Sequence, residues 1–312
     1  MSYKYSFTVF TPVYNRKDKI HRVWESLLSQ SFKDFEWILV DDGSSDNIIE
    51  LLMKYREEAS FTIKILQQEN QGKHFAWNKA LRIAEGELFV PADSDDRFSA
   101  DSLLFFNQMW NSISIDDRNN FAGVNVLCLD PISKNIIGNK YSYDGLISDN
   151  LELAYHYKIK GEKWGCIRTD LLKEIPFPQV RGRGCYNPSY IWYNLAKNYK
   201  TICFNRGLRY YYSEPDSITK KYARDSRKTA YSNYHFLQWH INSNYLILLK
   251  YNPFSIFKII FKIIKNSKLH AINFTTLINE QKYMFVKILI MILYFPSVVI
   301  LTIKGDFKPY IQ

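Results

Sequence analysis

Between Tyr5 and Pro91 the chain switches repeatedly between a short β-prone run and a segment of helical period. No other feature restricts the fold as much. Tyr5–Phe10 is the first run, and Thr11-Pro12 is expected to end it, because proline has no N–H to give to a ladder. A helix is expected over about 17–30, where Ile20, Val23, Trp24, Leu27 and Leu28 recur at spacings of three and four. Glu36–Val40 reads as a second strand, stopped by the turn-forming string Asp41-Asp42-Gly43-Ser44-Ser45-Asp46. Ile48–Glu58 reads as a helix and Thr62–Gln67 as a third strand. A further helix is expected over about 75–84, with Gly86 as its C-cap, and Glu87–Pro91 as a fourth strand. Such alternation predicts an α/β fold: a Rossmann-type, mainly parallel sheet flanked by helices. Ligands of these sheets sit at the carboxyl ends of the strands. Three loops there carry unusual chemistry: 11–16 (TPVYNR), 41–46 (DDGSSD) and 92–96 (ADSDD).

The 312 residues carry 41 Lys and Arg against 31 Asp and Glu, a net charge of +10. The excess is not spread evenly. Residues 1–219 hold 27 basic and 28 acidic groups, whereas 220–312 hold 14 basic groups against Asp225, Glu280 and Asp306. A neutral body with a basic tail follows. Hydrophobic residues at 46% and aromatics at 16% exclude disorder as the main state. Cys128, Cys166, Cys185 and Cys203 lie far apart and are expected as buried free thiols in a reducing compartment. The first 15 residues lack a secretory pattern, so the body is expected in the cytoplasm. The six histidines form no HxH or HExxH pattern, which argues against a histidine-held transition-metal site. There is no GxxxxGK[ST] phosphate loop and no GxGxxG after the first strand, which argues against nucleotide hydrolysis and dinucleotide redox chemistry.

Beyond residue 120 the body becomes more irregular. Strands are expected over 123–130, 200–204 and 208–212, and a helix over 188–198. The expected organisation is a domain over 1–219, divided into 1–120 and 121–219, followed by a helical extension over 220–312.

Asp93, Asp95 and Asp96 crowd four positions after an apolar strand. Their mutual repulsion is relieved by a divalent cation, although Asp95 and Asp96 are equally suited to cap the next helix. The ordered set TPVYN, VDDGSSD, ENQGKHFAWNKAL and ADSDDRF resembles the family 2 glycosyltransferases of the GT-A fold, with matching spacing over about 5–110. GEKWGCIRTDLLKEIPFP (161–178) and LRYYYSEPDSIT (208–219) resemble the second half of one bacterial branch of that family. The resemblance implies a nucleotide-sugar donor half over 1–120 and an acceptor half over 121–219. It implies Pro12 and Tyr14 lining the base pocket and Asp42 accepting a hydrogen bond from the base, uracil by preference. It further implies Asp93 at the ribose or the metal, Asp95 as a ligand of Mg²⁺ or Mn²⁺ on the diphosphate, and Lys73 near the phosphates or donor sugar. Asp41 reads as a turn-fixing acid, Asn70 and Asn78 as partners of local backbone, and Trp77 as core. His74 reads either as facing the donor or as an ordinary surface residue.

Inverting transfer needs a general base, commonly a carboxylate. Relatives of the resembling branch are acid-rich after the Phe-Pro of IPFP, but here no Asp or Glu occurs between Glu174 and Glu214. Asp170, Glu214 and Asp216 are the candidates, although Asp170 reads first as a helix N-terminal acid. Arg181 and Arg183 either bind an acceptor phosphate or are solvated.

In the tail, 252–265 (NPFSIFKIIFKIIK) places Lys258, Lys262 and Lys265 on one helical face and isoleucines and phenylalanines on most of the rest. That is the pattern of a helix at a membrane surface, with a core helix as the alternative. Residues 284–303 approach the ~20 apolar residues that span a bilayer, but Lys287 and Pro296 fit an interfacial segment as well. The expected protein is a metal-dependent inverting glycosyltransferase, peripheral or tail-anchored at the inner face of the cell membrane. It would move sugar from a UDP-sugar to a lipid-linked saccharide in surface-polysaccharide assembly. Nucleic acid is not expected as a partner. The alternative is a donor-binding subunit of weak activity that partners an active transferase.

Overall fold

A computed structural model describes residues 3–180, 186–213 and 229–303. The chain divides into two compact units, Met1–Gln179 with Ile191–Ser213 and Val180–Tyr190 with Glu214–Gln312. In the first unit the elements are β1 (Tyr5–Val13), α1 (His21–Leu28), β2 (Phe35–Asp41), α2 (Ile48–Glu58), β3 (Thr62–Gln67), α3 (Lys73–Ile83) and β4 (Gly86–Pro91). They continue through β5 (Arg97–Phe98), α4 (Ser102–Asn111), β6 (Phe121–Leu129), β7 (Leu146–Ser148), α5 (Asn150–Tyr155), β8 (Lys163–Arg168) and α6 (Thr169–Glu174). Helix α7 (Ser189–Leu195) and β9 (Lys200–Tyr210) follow.

The strands form one sheet in the order β3-β2-β1-β4-β8-β6-β9-β5, with β7 beside β9. The first four are parallel, as the alternation predicts. The rest is mixed: β8 runs antiparallel to both β4 and β6, while β9 runs parallel to β6. Order reverses at β1, with β2 on one side and β4 on the other, which makes their carboxyl ends the crevice of the sheet. Every residue of β2 is buried, so its apolar run is read from both faces. Trp24 stacks on Tyr55 with centroids 4.4 Å apart and seals one layer of helices to that sheet.

Three local expectations need correction. Strand β1 does not stop at Thr11; it continues to Val13, with Pro12 opposite Val40. Odd residues of β1 bond towards β2 and even ones towards β4, since the Phe7 N–H donates to Asp34 while the Phe10 carbonyl accepts from Ala92. Pro12 is even, and β4 pairs with β1 only as far as Phe10, so no ladder bond is forfeited. Gly86 is not a C-cap; it opens β4, where a Cβ would lie 2.2 Å from the Thr8 nitrogen. The runs at 200–204 and 208–212 form one strand, β9, which absorbs its irregularity as register shifts against β6. Cys128, Cys166 and Cys203 are buried free thiols as expected, and Cys185 lies outside the described residues.

The second unit contains α8 (Ala230–Tyr251), α9 (Phe254–Leu269), α10 (Phe274–Asn279) and α11 (Met284–Ile303). Helix α9 buries one side of its apolar pattern and exposes Phe254 and Phe257 on another. Ile256, Ile259, Ile260, Ile263 and Ile264 are buried against protein, since α9 packs on both α8 and α11. The alternative of a core helix with a narrow wet face therefore describes those isoleucines. A polar bolt ties α8 to the segment before α11. Glu280 accepts from the Tyr234 hydroxyl and from Gln238 Nε2, and Asn242 bonds the Glu280 carbonyl and the Lys282 N–H.

Candidate active site

The three polar loops converge at the carboxyl edge of β1, β2 and β4. The first two are laced by hydrogen bonds. Asn15, in the left-handed region at φ 50°, accepts from the Ser45 N–H at 2.8 Å, and its own N–H donates to Ser44 Oγ at 2.9 Å. Asp41 accepts from the Ser44 N–H at 3.0 Å, the turn-fixing role expected of it. Pro12 is half-buried, and Tyr14 is 41% exposed.

Asp42 is buried and already employed. Its Oδ1 accepts from Gln68 Nε2 and the Gln71 N–H, both at 2.8 Å, and its Oδ2 from the Gly72 N–H at 2.9 Å. This carboxylate therefore fastens loop 68–72 across the crevice, with one lone pair of Oδ2 still able to accept. Gly72, at φ 99°, turns the chain into α3 and delivers Lys73 to the Asp93 carboxylate. Asn78 does bond backbone, but not locally: its amide clasps both the N–H and the carbonyl of Phe177. Trp77 is core, packed edge-on to Phe10 and Phe89. His74 is buried, contrary to a surface placement.

The aspartates after β4 are not left to repel one another. Arg209, on β9 and only 6% exposed, reaches Asp93 Oδ2 at 2.7 Å and grips Asp96 Oδ2 through both Nε and Nη2. Asp96, 2% exposed, also accepts from the Tyr212 N–H at 3.0 Å. Asp95 is handled more loosely. Its Oδ2 lies 3.6 Å from Arg16 Nε, and its carbonyl accepts from Arg22, whose guanidinium lies 3.9 Å from the centre of the Tyr212 ring. Burial opposes ionisation of Asp93, but Lys73 and Arg209 outweigh it and hold the carboxyl well below the usual carboxylate range. Burial, then the Asp93 charge, pushes Asp95 up. Burial likewise pushes up Asp96, against the pull of Arg209.

The residues fit a divalent cation of a particular kind. Among the described residues no group of three metal-ligating side chains forms. Mg²⁺ and Mn²⁺ nevertheless bind through one or two carboxylates when water and phosphate oxygens complete the shell. Asp95 has the destabilised carboxylate that a cation would relieve, and its side chain is 17% exposed. Asp96 is spent on Arg209. Arg209, Arg16 and Arg22 were not singled out as site residues by the sequence, although Arg16 ends the TPVYNR loop and Arg209 stands in the LRYYYSEPDSIT stretch.

Asp170 is not brought to this edge. Strand β8 is antiparallel to β4, pairing Arg168 with Leu88, so the residue after it lies towards the amino end of β4. There Asp170 is held by Arg168 in the first turn of α6. That corrects its candidacy as general base and supports its reading as a helix N-terminal acid. Glu214 and Asp216, like Arg181 and Arg183, lie outside the described residues.

Residues 8–118 match the model of glycosyl transferase family 2. The chain carries a family 2 glycosyltransferase domain. Among curated relatives is the Bacillus subtilis (strain 168) protein named "Putative teichuronic acid biosynthesis glycosyltransferase TuaG". It is 28% identical over 229 residues, 71% of this chain and 84% of that one. The poly(ribitol-phosphate) beta-N-acetylglucosaminyltransferase TarS of Staphylococcus aureus (strain Mu50 / ATCC 700699) is 34% identical over 99 residues, 31% of this chain and 17% of TarS. The chain is thus similar to proteins named as transferases of polysaccharide biosynthesis, and its match covers less than a fifth of that S. aureus relative. In fold it resembles S. aureus TarS 1-349 in complex with UDP-GlcNAc, at a TM-score of 0.58 and 18% identity, covering 98% of this chain and 93% of that one. It also resembles the mannosyltransferase PcManGT from Pyrobaculum calidifontis in complex with GDP-Man and Mn²⁺, at 0.57 and 16%, covering 98% and 85%. These likenesses establish a GT-A-like mixed α/β fold with a helical C-terminal region.

Proposed function

We propose that this chain is an inverting glycosyltransferase that moves a sugar from a UDP-sugar to a hydroxyl of a saccharide, lipid-linked in surface-polysaccharide assembly. The observation that carries it is the Asp93–Asp95–Asp96 loop at the carboxyl edge of the sheet, bracketed by Lys73, Arg209 and Arg16. A crevice with that mixture suits a diphosphate: carboxylates for a cation, and cations for oxygens the metal leaves uncovered. In this reading Pro12 and Tyr14 line the base, and the spare acceptor of Asp42 meets the base N–H. Asp95, with Asp93, holds Mg²⁺ or Mn²⁺. The metal supplies electrostatic stabilisation of the leaving diphosphate. Lys73, released from Asp93, turns to the phosphates, while Arg209 keeps Asp93 and Asp96 ionised and in place. The domain over 1–219 does this work, and 220–312 keeps it at the inner face of the membrane.

Calorimetry of UDP and GDP binding with and without Mn²⁺ tests this. UDP should bind in preference to GDP, Mn²⁺ should tighten UDP by tenfold or more, and Asp95→Asn should remove the Mn²⁺ increment. Indifference to Mn²⁺ in both proteins would sink the metal assignment, and no UDP binding would sink the donor. A second reading, a donor-binding subunit that partners an active transferase, is favoured by the acid-free stretch between Glu174 and Glu214 and by the distant placement of Asp170. Tight UDP binding without UDP-sugar hydrolysis or transfer would select it.

A further inference from the structure

Helix α11 is the one helix among the described residues long and apolar enough to cross a bilayer. Its two faces have different fates. Val286, Ile290, Tyr294, Ser297 and Leu301 form a stripe buried against protein for nearly the whole helix. On the opposite side Phe285, Ile288, Ile292, Phe295, Val299 and Ile303 form an exposed stripe, apolar throughout. A soluble surface does not present such a stripe without something to cover it.

Resting on the reading above that this region works at a membrane, we propose that α11 does not span the bilayer. It lies in the plane of an anionic leaflet, seated on the Phe285–Ile303 stripe. Tyr294, near the middle of the helix, decides the orientation. The Lys268 ammonium lies 4.7 Å from the centre of its ring, and Phe274 packs edge-on to it with centroids 4.7 Å apart. Those two residues flank the turn between α9 and α10, in which Ala271 adopts a left-handed φ of 54°. Were α11 to stand along the bilayer normal, that turn would lie at mid-depth in hydrocarbon with a lysine beside it. Irregular backbone and an ammonium are what the bilayer centre excludes. Laid flat, α11 buries its stripe to the acyl boundary and leaves the turn among head groups.

Charge identifies the leaflet. Residues 229–303 contain seven lysines and one acid, Glu280, which is engaged with Tyr234 and Gln238. Four of the lysines, Lys258, Lys262, Lys265 and Lys268, belong to α9, which packs against α11. Phosphate head groups complement such a set, each lysine adding affinity near an anionic surface.

The full-length chain, with Cys185→Ser, is labelled with an environment-sensitive fluorophore at single cysteines replacing Phe285, Ile288, Ile292, Phe295, Val299 and Ile303. Each is bound to phosphatidylcholine vesicles with and without phosphatidylglycerol, with lipids spin-labelled at shallow or deep positions as quenchers. A flat helix gives quenching by the shallow probe at all six sites within about twofold, and binding that rises with phosphatidylglycerol. Replacing the four α9 lysines by glutamine should lower binding to the anionic vesicles on the order of tenfold or more. A depth profile that peaks at Ile292 and Phe295 and returns at both ends means a spanning helix; it overturns this proposal and leaves the membrane reading standing. Absence of quenching and of vesicle binding, with a dimer by size-exclusion light scattering, assigns the stripe to a second copy and overturns both.

Discussion

Replacing Arg209 with Met gives the sharpest trial of how the acidic loop is held. Arg209 is 6% exposed and Asp96 2% exposed, so neither partner can be rescued by water once the other is gone. Arg209 makes charge-assisted bonds to Asp96 and to Asp93, and methionine keeps much of the volume but none of the charge. Breaking a buried pair from one side costs about 3–5 kcal/mol, because a carboxylate is left uncompensated. Urea unfolding followed by tryptophan fluorescence should show that loss for Arg209→Met. Asp96→Asn in the same background should recover most of it, since the amide oxygen can still accept from the Tyr212 N–H while the stranded charge disappears. The cycle should yield a coupling of at least ~2 kcal/mol. A cost below about 1 kcal/mol for Arg209→Met, or additive losses in the double variant, would refute the claim that this arginine neutralises the loop.

Three other expectations follow from the geometry. Burial lowers His240 from 6.5 to about 4, and Asn244 Nδ2 lies 3.0 Å from its Nδ1. A histidine depressed in the folded state adds stability that is whole above 6.5 and lost as pH falls towards 4, up to about 3 kcal/mol. The wild type should therefore lose more melting temperature than His240→Gln between pH 7 and 4.5; parallel losses would remove His240 from the account. Gly86→Ala should destabilise by about 1–3 kcal/mol, because its methyl would lie 2.2 Å from backbone nitrogen rather than from a movable side chain; an unchanged denaturation midpoint would contradict this. Asp42→Ala removes three ties to loop 68–72 and should raise amide exchange in 68–73 by tenfold or more, with the sheet unchanged; protection kept in that loop would show that something else fastens it.

The parallel half of the sheet was legible because each element carries its own period. Ile48–Glu58 and Thr62–Gln67 match the expectation at both ends. What the sequence concealed depends on partners far along the chain. Arg209 is 113 residues from Asp96, and in a run of tyrosines it resembles any solvated edge residue. Asn78 finds its backbone partner 99 residues away. Direction hid the placement of Asp170, since a segment after a strand lies at one edge or the other according to whether that strand is parallel. In α9 the isoleucines fit lipid or protein equally, and only the packing of neighbouring helices separates the two.

Two prolines border the crevice, and each stands where its missing N–H does no harm to pairing. Pro12 would have to donate towards β4 beyond the end of that ladder. Pro91 turns towards β8 beyond Phe89, the last paired residue on that side, and its carbonyl accepts from the Trp164 indole at 2.6 Å. A sheet left to itself closes like a zipper, adding bonds until residues run out. Here two teeth are missing at the point where closing further would seal the mouth. Neither proline can supply an N–H that would carry pairing further along its side, so the strands part at the mouth of the crevice.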